Sequence, residues 1–268
     1  LLEIKDLKFN SPDNYVDEFN YFEHPRDAFL FFDSLSSMSF ENYYQELYEG
    51  YETFIVEIDN SEIKNIRTKK LDGLSIPVSY QHTGNGINVS SPTNDLFKKS
   101  LYQLGYDEIK FDYEIDINWN PGSKIFSFDF IFGMQDGADL EISMKFDDID
   151  FVTLINDSLS PQISEYIQSE PKIKSVTVSL KDKGLTKKLL DVAADEMQIN
   201  NDQVVSFIIN QLESYSVFIQ NPLIDEFIYS LQAFLLNPNR ISFSINPPVS
   251  LSYNDINSLT EDPGLLIE

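Results

Sequence analysis

The sequence has no cysteine and very little histidine, tryptophan or arginine. Its 268 residues include two histidines and one tryptophan, and the arginines are Arg26, Arg67 and Arg240. The absence of cysteine excludes disulfide bonds and thiol chemistry. No apolar run approaches the roughly 18 residues that a membrane-spanning helix needs, so no transmembrane span is expected.

Basic residues are scarce relative to acidic ones. The chain has 44 Asp and Glu against 19 Lys and Arg, which gives a formal net charge of −25 at pH 7. A surface of this sign repels phosphate backbones, so nucleic acid is not an expected partner. Cationic partners and divalent ions remain compatible with it, and an acidic surface can also serve solubility alone.

Aromatic residues, in contrast, are abundant. The chain contains 21 Phe and 14 Tyr, and 42% of its residues are hydrophobic. That much apolar surface excludes disorder over most of the length, and a chain of this size can bury a substantial core.

The segment from residue 107 to residue 119 carries the clearest pattern, an apolar side chain at every second position. The apolar residues are Ile109, Phe111, Tyr113, Ile115, Ile117 and Trp119. Polar residues fill the positions between them, which predicts a long strand with one buried and one solvated face.

Two further alternating rows follow, each after a turn. The first row contains Phe126, Phe128, Phe130 and Phe132, and the second contains Leu140, Ile142, Met144 and Phe146. Short turns between alternating strands predict an antiparallel meander. Ile125 and Ile131 make the other face of the phenylalanine row partly apolar, so this strand is expected to be central and covered on both faces.

The earlier segments are less regular. Residues 4–9 and 54–58 favour strands, and residues 39–49 favour a helix. Residues 74–80 favour an edge segment, because Pro77 cannot donate to a ladder. Residues 81–92 read as a loop or hairpin.

Beyond residue 150 the apolar period changes to that of helices. A helix is expected at 151–159 and a strand at 176–180. Three helices follow near 185–197, 202–219 and 223–236, and the last strand covers 241–245. Asn201 and Asp202 are the expected caps of the second of the three helices, and Pro222 is expected in the first turn of the third.

These segments together predict an α+β fold. Its main part is an antiparallel meander sheet, and a helical C-terminal section packs on it. The β-rich region covers residues 1–150 and the helix-rich region covers 151–268, and both are compatible with a single continuous domain. A helix end, a stop and a strand recur around Gly50, Gly105 and Asn237-Pro238, which suggests internal helix–strand repeats.

Two segments carry a family resemblance, Gly105-Tyr106-Asp107 with the meander after it, and Asn237 to Pro248. Over roughly residues 100–250 the chain resembles a group of uncharacterised exported alphaproteobacterial proteins. It is more remotely similar to bacterial envelope proteins of the AsmA and YdgA kind, which build long sheets from repeated strand units. The resemblance implies an extracytoplasmic, periplasmic or envelope-associated setting and a non-enzymatic role.

The residues for nucleophilic catalysis are sparse. The imidazoles are His24 and His82, and His82 lies beside Thr83 in a segment rich in glycine and asparagine. Both are predicted to be solvated loop histidines, so no catalytic residue is assigned. The segment from Thr83 to Gly86 lacks the lysine and the spacing of a phosphate-binding loop, and is predicted to be a turn.

Two acidic groups are candidates for binding cations. Glu108, Asp112, Glu114 and Asp116 share one face of the predicted strand, where they form a solvated face or gather Ca²⁺ or a basic partner. Asp147, Asp148 and Asp150 lack the spacing of a calcium loop, and acidic residues at a helix start explain them. No metal ligand and no cofactor is assigned.

The C-terminal helices are apolar on most sides, which indicates burial or contact with another apolar body. Packing against the sheet is the simpler expectation. The alternatives are a docking face for another subunit, or an apolar groove that would hold a lipid or acyl chain. The candidate groove residues are Phe126, Phe128, Phe130, Phe207, Ile208, Phe227 and Leu231.

The leading hypothesis is a non-enzymatic extracytoplasmic binding or scaffold protein, which holds an apolar small molecule or a partner chain. A carboxylate-dependent hydrolase and a structural subunit of a surface assembly are the alternatives. The sequence leaves the oligomeric state open.

Overall fold

The computed structural model contains one open antiparallel sheet of nine strands, and their order in space follows their order in the sequence. The structure describes residues 2–10, 37–49, 52–71, 74–93, 95–150, 171–219, 222–252 and 255. The chain is therefore an α+β protein built mainly on an antiparallel sheet. The sheet takes strands from both of the regions that the sequence distinguished.

The bounds of the elements are as follows. The strands are β1 (Leu2–Asn10), β2 (Ser37–Glu49), β3 (Glu52–Leu71), β4 (Leu74–Ser90), β5 (Ile109–Asn120), β6 (Ile125–Met134), β7 (Ala138–Asp147), β8 (Lys172–Asp182) and β9 (Arg240–Ile245). The helices are α1 (Asp95–Gln103), α2 (Leu185–Met197), α3 (Asn201–Ile219) and α4 (Pro222–Leu236). Helix α1 connects β4 to β5, and α2, α3 and α4 lie between β8 and β9.

The predicted meander is confirmed as β5, β6 and β7. Trp119 of β5 pairs with Phe126 of β6, which pairs with Phe146 of β7, so the aromatic rows share one face. The expectation that β6 is covered on both faces is wrong, because Ile131 on the other face is 48% exposed.

Residues 39–49 belong to strand β2 and not to the predicted helix. Phe40 pairs with Ser61 and Tyr43 pairs with Ile58, and their rings lie 5.5 Å apart on one face. Asn42 between them has φ 54°, so the inward positions change there from even to odd. This change interrupts the period of two, so the sequence pattern does not indicate a strand here, although aromatic residues favour one.

Strand β4 is continuous from Leu74 to Ser90, so the predicted loop at 81–92 is wrong. The prediction of an edge segment at 74–80 holds only for the residues before Ser79, where β4 pairs with β3 alone. Pro77 pairs with Thr68 of β3, whereas pairing with β5 begins at Ser79. Because Pro77 precedes that pairing, its missing N–H removes no bond from the β4–β5 ladder.

The segment Thr83–Gly86 is part of β4 and not a turn. The register between β4 and β5 shifts between Gly84 and Ile87, and Gly86 has φ 61°. This is a β-bulge, at which a glycine is favoured because φ is positive.

The three C-terminal helices are confirmed, with Pro222 as the first residue of α4. The cap of α3 differs from the prediction of Asn201 or Asp202. Asn200 Oδ1 accepts a hydrogen bond from the Gln203 backbone N–H at 2.9 Å, and Gln203 Oε1 accepts one from the Asn200 N–H at 3.0 Å. This reciprocal pair is a capping box, which requires an accepting side chain three residues before its partner.

The residues that the structure describes form two apolar cores. The helices share a core that contains Leu190, Ala194, Val204, Val205, Ile209 and Ile228. The sheet has a second core of Ile76, Trp119 and Ile149 at one end of β4 and β5. The Trp119 Nε1–H donates to the Ile149 carbonyl at 3.1 Å, which satisfies both polar groups inside this core.

The first of the three suggested helix–strand repeats lacks its helix, because residues 47–49 belong to β2. The other two correspond to α1 followed by β5 and α4 followed by β9. The helix predicted at 151–159 lies outside the described residues, as does most of the chain after residue 252.

Candidate functional site

One face of the sheet carries a row of side chains that crosses six strands in register. His82 of β4 pairs with Ile115, Ile115 with Phe130, Phe130 with Ile142, Ile142 with Val178, and Val178 with Phe243 of β9. Directly paired residues of antiparallel strands point to the same side. We call this side the aromatic face, and the opposite side the polar face.

The rings of β6 form a continuous strip on the aromatic face. Phe128 and Phe130 stack with ring centroids 6.4 Å apart, and Phe130 and Phe132 stack at 6.5 Å. Phe132 also lies 5.0 Å from Phe111 of β5. These rings are half-buried rather than buried, so the strip keeps part of its apolar surface accessible.

The helical section reaches the aromatic face at β9. Phe227 of α4 meets Phe243 edge-on, with centroids 5.9 Å apart and an interplanar angle of 84°. Both rings stay partly accessible, at 38% for Phe227 and 39% for Phe243. An apolar strip therefore extends from Phe130 to Phe243, where it contacts Phe227 in the N-terminal half of α4.

The seven predicted groove residues are only partly brought together. Phe126 packs against the Trp119 core, and Ile208 packs against the helical core. Phe207 is 49% exposed, and Leu231 is half-buried. Strands β7 and β8 separate β6 from β9, a distance of about 14 Å at the usual strand spacing. The described residues thus form an open strip with α4 at one end, and not a closed groove.

The polar face contains a hollow of about 1060 Å³ beside the bulge of β4. Its charged lining comprises Glu57, Asp59, Lys110, Asp112, Asp139 and Lys183. The Gly86 N–H donates to Asp112 Oδ1 at 2.7 Å, and Lys183 pairs with Asp139 at 2.5 Å. Glu57, Asp59 and Asp112 are exposed, so the carboxylates stand in an open, solvated hollow.

The carboxylates of β5 lie on the polar face as predicted, and one of them faces a like charge. Asp116 pairs directly with Asp129 of β6. Burial, the Asp129 charge and the Glu114 charge raise the pKa of Asp116, and Arg67 opposes them. Asp129 is exposed and accepts a hydrogen bond from the Ser143 hydroxyl. Asp116, in contrast, is half-buried and lines an open hollow of about 460 Å³.

The acidic residues at the end of β7 and directly after it form ion pairs. Asp147 lies 3.2 Å from Lys174, Asp148 lies 2.7 Å from Lys172, and Asp150 lies 3.0 Å from Lys124. A Ser250 hydrogen bond, aided by Lys174, lowers the pKa of Asp147. Within the described residues no three His, Asp or Glu side chains are grouped to hold a metal ion.

His82 lies in a strand and is half-buried, so its prediction as a solvated loop histidine is wrong. Its Nε2 atom lies 3.0 Å from the Ser61 hydroxyl and 3.0 Å from the Tyr113 hydroxyl. Burial lowers the pKa of the imidazole. No local sequence pattern indicates this contact, because the three residues come from three different strands.

The fold and these surfaces define an α+β protein with one aromatic and one polar sheet face. The chain belongs to the family described as "Uncharacterized protein", whose model matches residues 131–268. The matched part begins inside β6 and includes the helical section and β9, whereas Phe126, Phe128 and Phe130 precede it. No curated protein matches the chain. Within the described part of the chain, no helix is both long and apolar enough to cross a membrane.

Proposed function

We propose that the chain is a non-enzymatic extracytoplasmic binding or scaffold protein that holds an apolar ligand, or an apolar segment of a partner chain, on its aromatic face. The observation that carries the proposal is the strip from Phe130 through Ile142 and Val178 to Phe243. It is continuous in register and ends beneath Phe227.

The two faces of the sheet differ in what they can bind. The polar face carries carboxylates and lysines that already form ion pairs, and water solvates them well. The strip is apolar and half-buried, and contiguous apolar surface of this kind marks ligand or protein contact sites. An acyl chain laid along it would cross β6, β7, β8 and β9.

In this proposal the helical section packs on the sheet and forms a wall at the β9 end. The contact of Phe227 with Phe243 supports that arrangement. The three helices have an apolar core of their own. This core keeps the wall rigid without contacts to the aromatic strip. The repeated helix–strand unit stays a prediction, with α1–β5 and α4–β9 as its two copies.

The extracytoplasmic setting rests on the resemblance to exported and envelope proteins. A signal peptide in the complete open reading frame, together with recovery of the protein from the periplasmic or membrane fraction of its host, would support it. Recovery from the cytoplasmic fraction would contradict it.

The hydrolase alternative receives less support. Asp116 and Asp129 form a directly opposed carboxylate pair, but this pair lies on the polar face away from the apolar strip. A glycoside hydrolase holds its two carboxyl groups on either side of the bond that it cleaves, whereas Asp116 and Asp129 stand side by side on one sheet face.

Native mass spectrometry of the gently purified full chain tests the proposed function. We expect an added mass that organic extraction removes, which would indicate a lipid, or a bound polypeptide, which would indicate the scaffold role. The sample is then extracted and mixed with palmitate. A bare chain before extraction that also takes up no palmitate afterwards would contradict the proposal.

A further inference from the structure

Three polar side chains meet inside the aromatic face. His82 of β4 contacts Ser61 of β3 and Tyr113 of β5 through its Nε2 atom, at 3.0 Å in each case. Ser61 is 2% exposed, and its hydroxyl partly offsets the burial that raises the pKa of Tyr113. The three strands are thus joined by side chains as well as by their backbone ladders.

The backbone fixes the position of the tyrosine ring. Tyr113 pairs with Gly84, and a Cβ atom at position 84 would lie 2.4 Å from the Tyr113 ring. The ring therefore lies across the glycine, which lets its hydroxyl reach the imidazole. The His82 and Tyr113 rings meet edge-on, with centroids 5.1 Å apart and an interplanar angle of 88°.

Apolar and uncharged groups surround the imidazole in the described structure. Ile63 and Ile115 pair directly with His82 from the strands on either side. Tyr113, Tyr80 and Tyr43 of β2 are titratable groups on the same face, and burial raises the pKa of Tyr80 and of Tyr113. The charged residues beside this site belong to the polar face, and they are Glu62, Lys64, Glu114 and Asp116.

We propose that His82 is a proton-sensitive contact, which stabilises the packing of β3, β4 and β5 when the imidazole is neutral and destabilises it when the imidazole is protonated. The neutral ring accepts a hydrogen bond at Nε2 from the Tyr113 hydroxyl. The protonated ring carries a hydrogen on Nε2, so the Tyr113 hydroxyl can no longer donate to it, and Nε2–H must instead donate to the oxygen of Tyr113 or Ser61. It also places a positive charge among isoleucine and tyrosine side chains that offer no carboxylate.

The direction of the pH effect follows from the lowered pKa of His82. Between the folded pKa and the unfolded value of about 6.5, the unfolded chain binds more protons than the folded chain. The contribution of His82 to stability is therefore complete above about pH 6.5. It is lost as the pH falls below 6.5 towards the folded pKa.

An NMR titration measures the proton directly. His24 is the other histidine of the chain, so the variant His24→Gln leaves a single imidazole whose signal belongs to His82. We expect a titration midpoint clearly below 6.5. A midpoint at or above 6.5 would overturn the proposal.

Two substitutions then test the hydrogen bond and its consequence. Tyr113→Phe in the His24→Gln background keeps the ring and removes the hydroxyl, so the midpoint should rise towards 6.5. An unchanged or lower midpoint would overturn the proposed donation from Tyr113. Urea unfolding then compares the unfolding constants of His82→Gln and the wild type at pH 8 and at pH 5. As the pH falls, the stability advantage of the wild type over His82→Gln should decrease, by at most about tenfold in the unfolding constant for each pH unit by which the midpoint lies below 6.5. A ratio of the two unfolding constants that stays constant between pH 8 and pH 5 would also refute the inference. Neither experiment requires a ligand on the aromatic face, so each can fail independently of the proposed function.

Discussion

The close approach of Tyr113 to Gly84 allows a test of the packing on the aromatic face. In Gly84→Ala the new methyl group would lie 2.4 Å from Tyr113 Cε1, 2.8 Å from Cζ and 3.0 Å from Ile87 Cδ1. Carbon atoms prefer separations of about 3.5–4.0 Å, so the tyrosine ring must move by about 1 Å. That movement separates its hydroxyl from His82 and Ser61.

The expected loss of stability is the balance of three terms. Overpacking costs about 1–3 kcal/mol, and each weakened hydrogen bond costs about 0.5–1.5 kcal/mol. Alanine is favoured over glycine in a strand by about 0.5–1 kcal/mol, which offsets part of this. We expect Gly84→Ala to lower the free energy of unfolding by about 2–3 kcal/mol.

Urea unfolding followed by the fluorescence of the single tryptophan measures this loss. Gly133→Ala is the matched control, because its new methyl group would meet only the Asp139 carboxylate oxygen, at 3.2 Å, within the 4 Å limit of contact. It should stay within about 1 kcal/mol of the wild type. The double variant Gly84→Ala with Tyr113→Ala should lose less than the sum of the single losses, since the removed ring leaves room for the methyl group. If Gly84→Ala were as stable as Gly133→Ala, the ring could not lie across the glycine.

Two further substitutions test other parts of the structure. Trp119→Phe leaves the buried Ile149 carbonyl without its donor, so it should lower the free energy of unfolding by about 1–3 kcal/mol, and urea unfolding followed by circular dichroism would show no change if the bond were unimportant. Asp116→Asn removes a charge whose pKa is raised by burial and by Asp129. The ionised carboxylate destabilises the folded state above that pKa, so the variant should be more stable than the wild type at pH 7. This advantage should shrink as the pH falls to about 3, and an equal advantage at both pH values would contradict the electrostatic explanation.

The central strands could be predicted because their periodicity is unbroken. In β5 every second residue from Ile109 to Trp119 is apolar, and a shift of one residue would bury the carboxylates instead. The sequence therefore specifies both the strand and the face of each residue. The three helices after β8 follow in the same way from their apolar period and from Pro222.

The strands before β5 were predicted only in part. The segments 4–9, 54–58 and 74–80 lie in β1, β3 and β4, whereas β2 and the second half of β4 were missed because their period changes within the strand. At Asn42 and Gly86 the backbone takes a positive φ, and the apolar positions change between even and odd. A search for apolar residues at every second position therefore finds two short segments at each of these sites instead of one long strand. For this reason β2 was predicted as a helix and the second half of β4 as a loop.

The contact of His82 with Ser61 and Tyr113 could not be predicted from local sequence. It depends on the register of three strands and on a glycine that makes room for a ring. The polar neighbours of His82 in the sequence suggested a solvated loop. The phenylalanine row of β6 was predicted from its period of two, but the strip that continues it across β7 and β8 to Phe243 depends on the pairing of the strands.

The central claim is that the aromatic face, and not the polar face, binds apolar molecules. Phe130 and Ile131 are neighbours in β6 that point to opposite faces, so Phe130→Ser and Ile131→Ser form a matched pair. The urea midpoint of each variant is measured first, to confirm that it is folded. The measurement is energy transfer from Trp119 to the neutral probe N-phenyl-1-naphthylamine during a titration. We expect Phe130→Ser to weaken binding by about tenfold, since contact with a phenylalanine side chain contributes about 1.5–3 kcal/mol when it is complete. Ile131→Ser should bind as the wild type does. Equal affinity of the two variants, or no binding to the wild type, would contradict the claim.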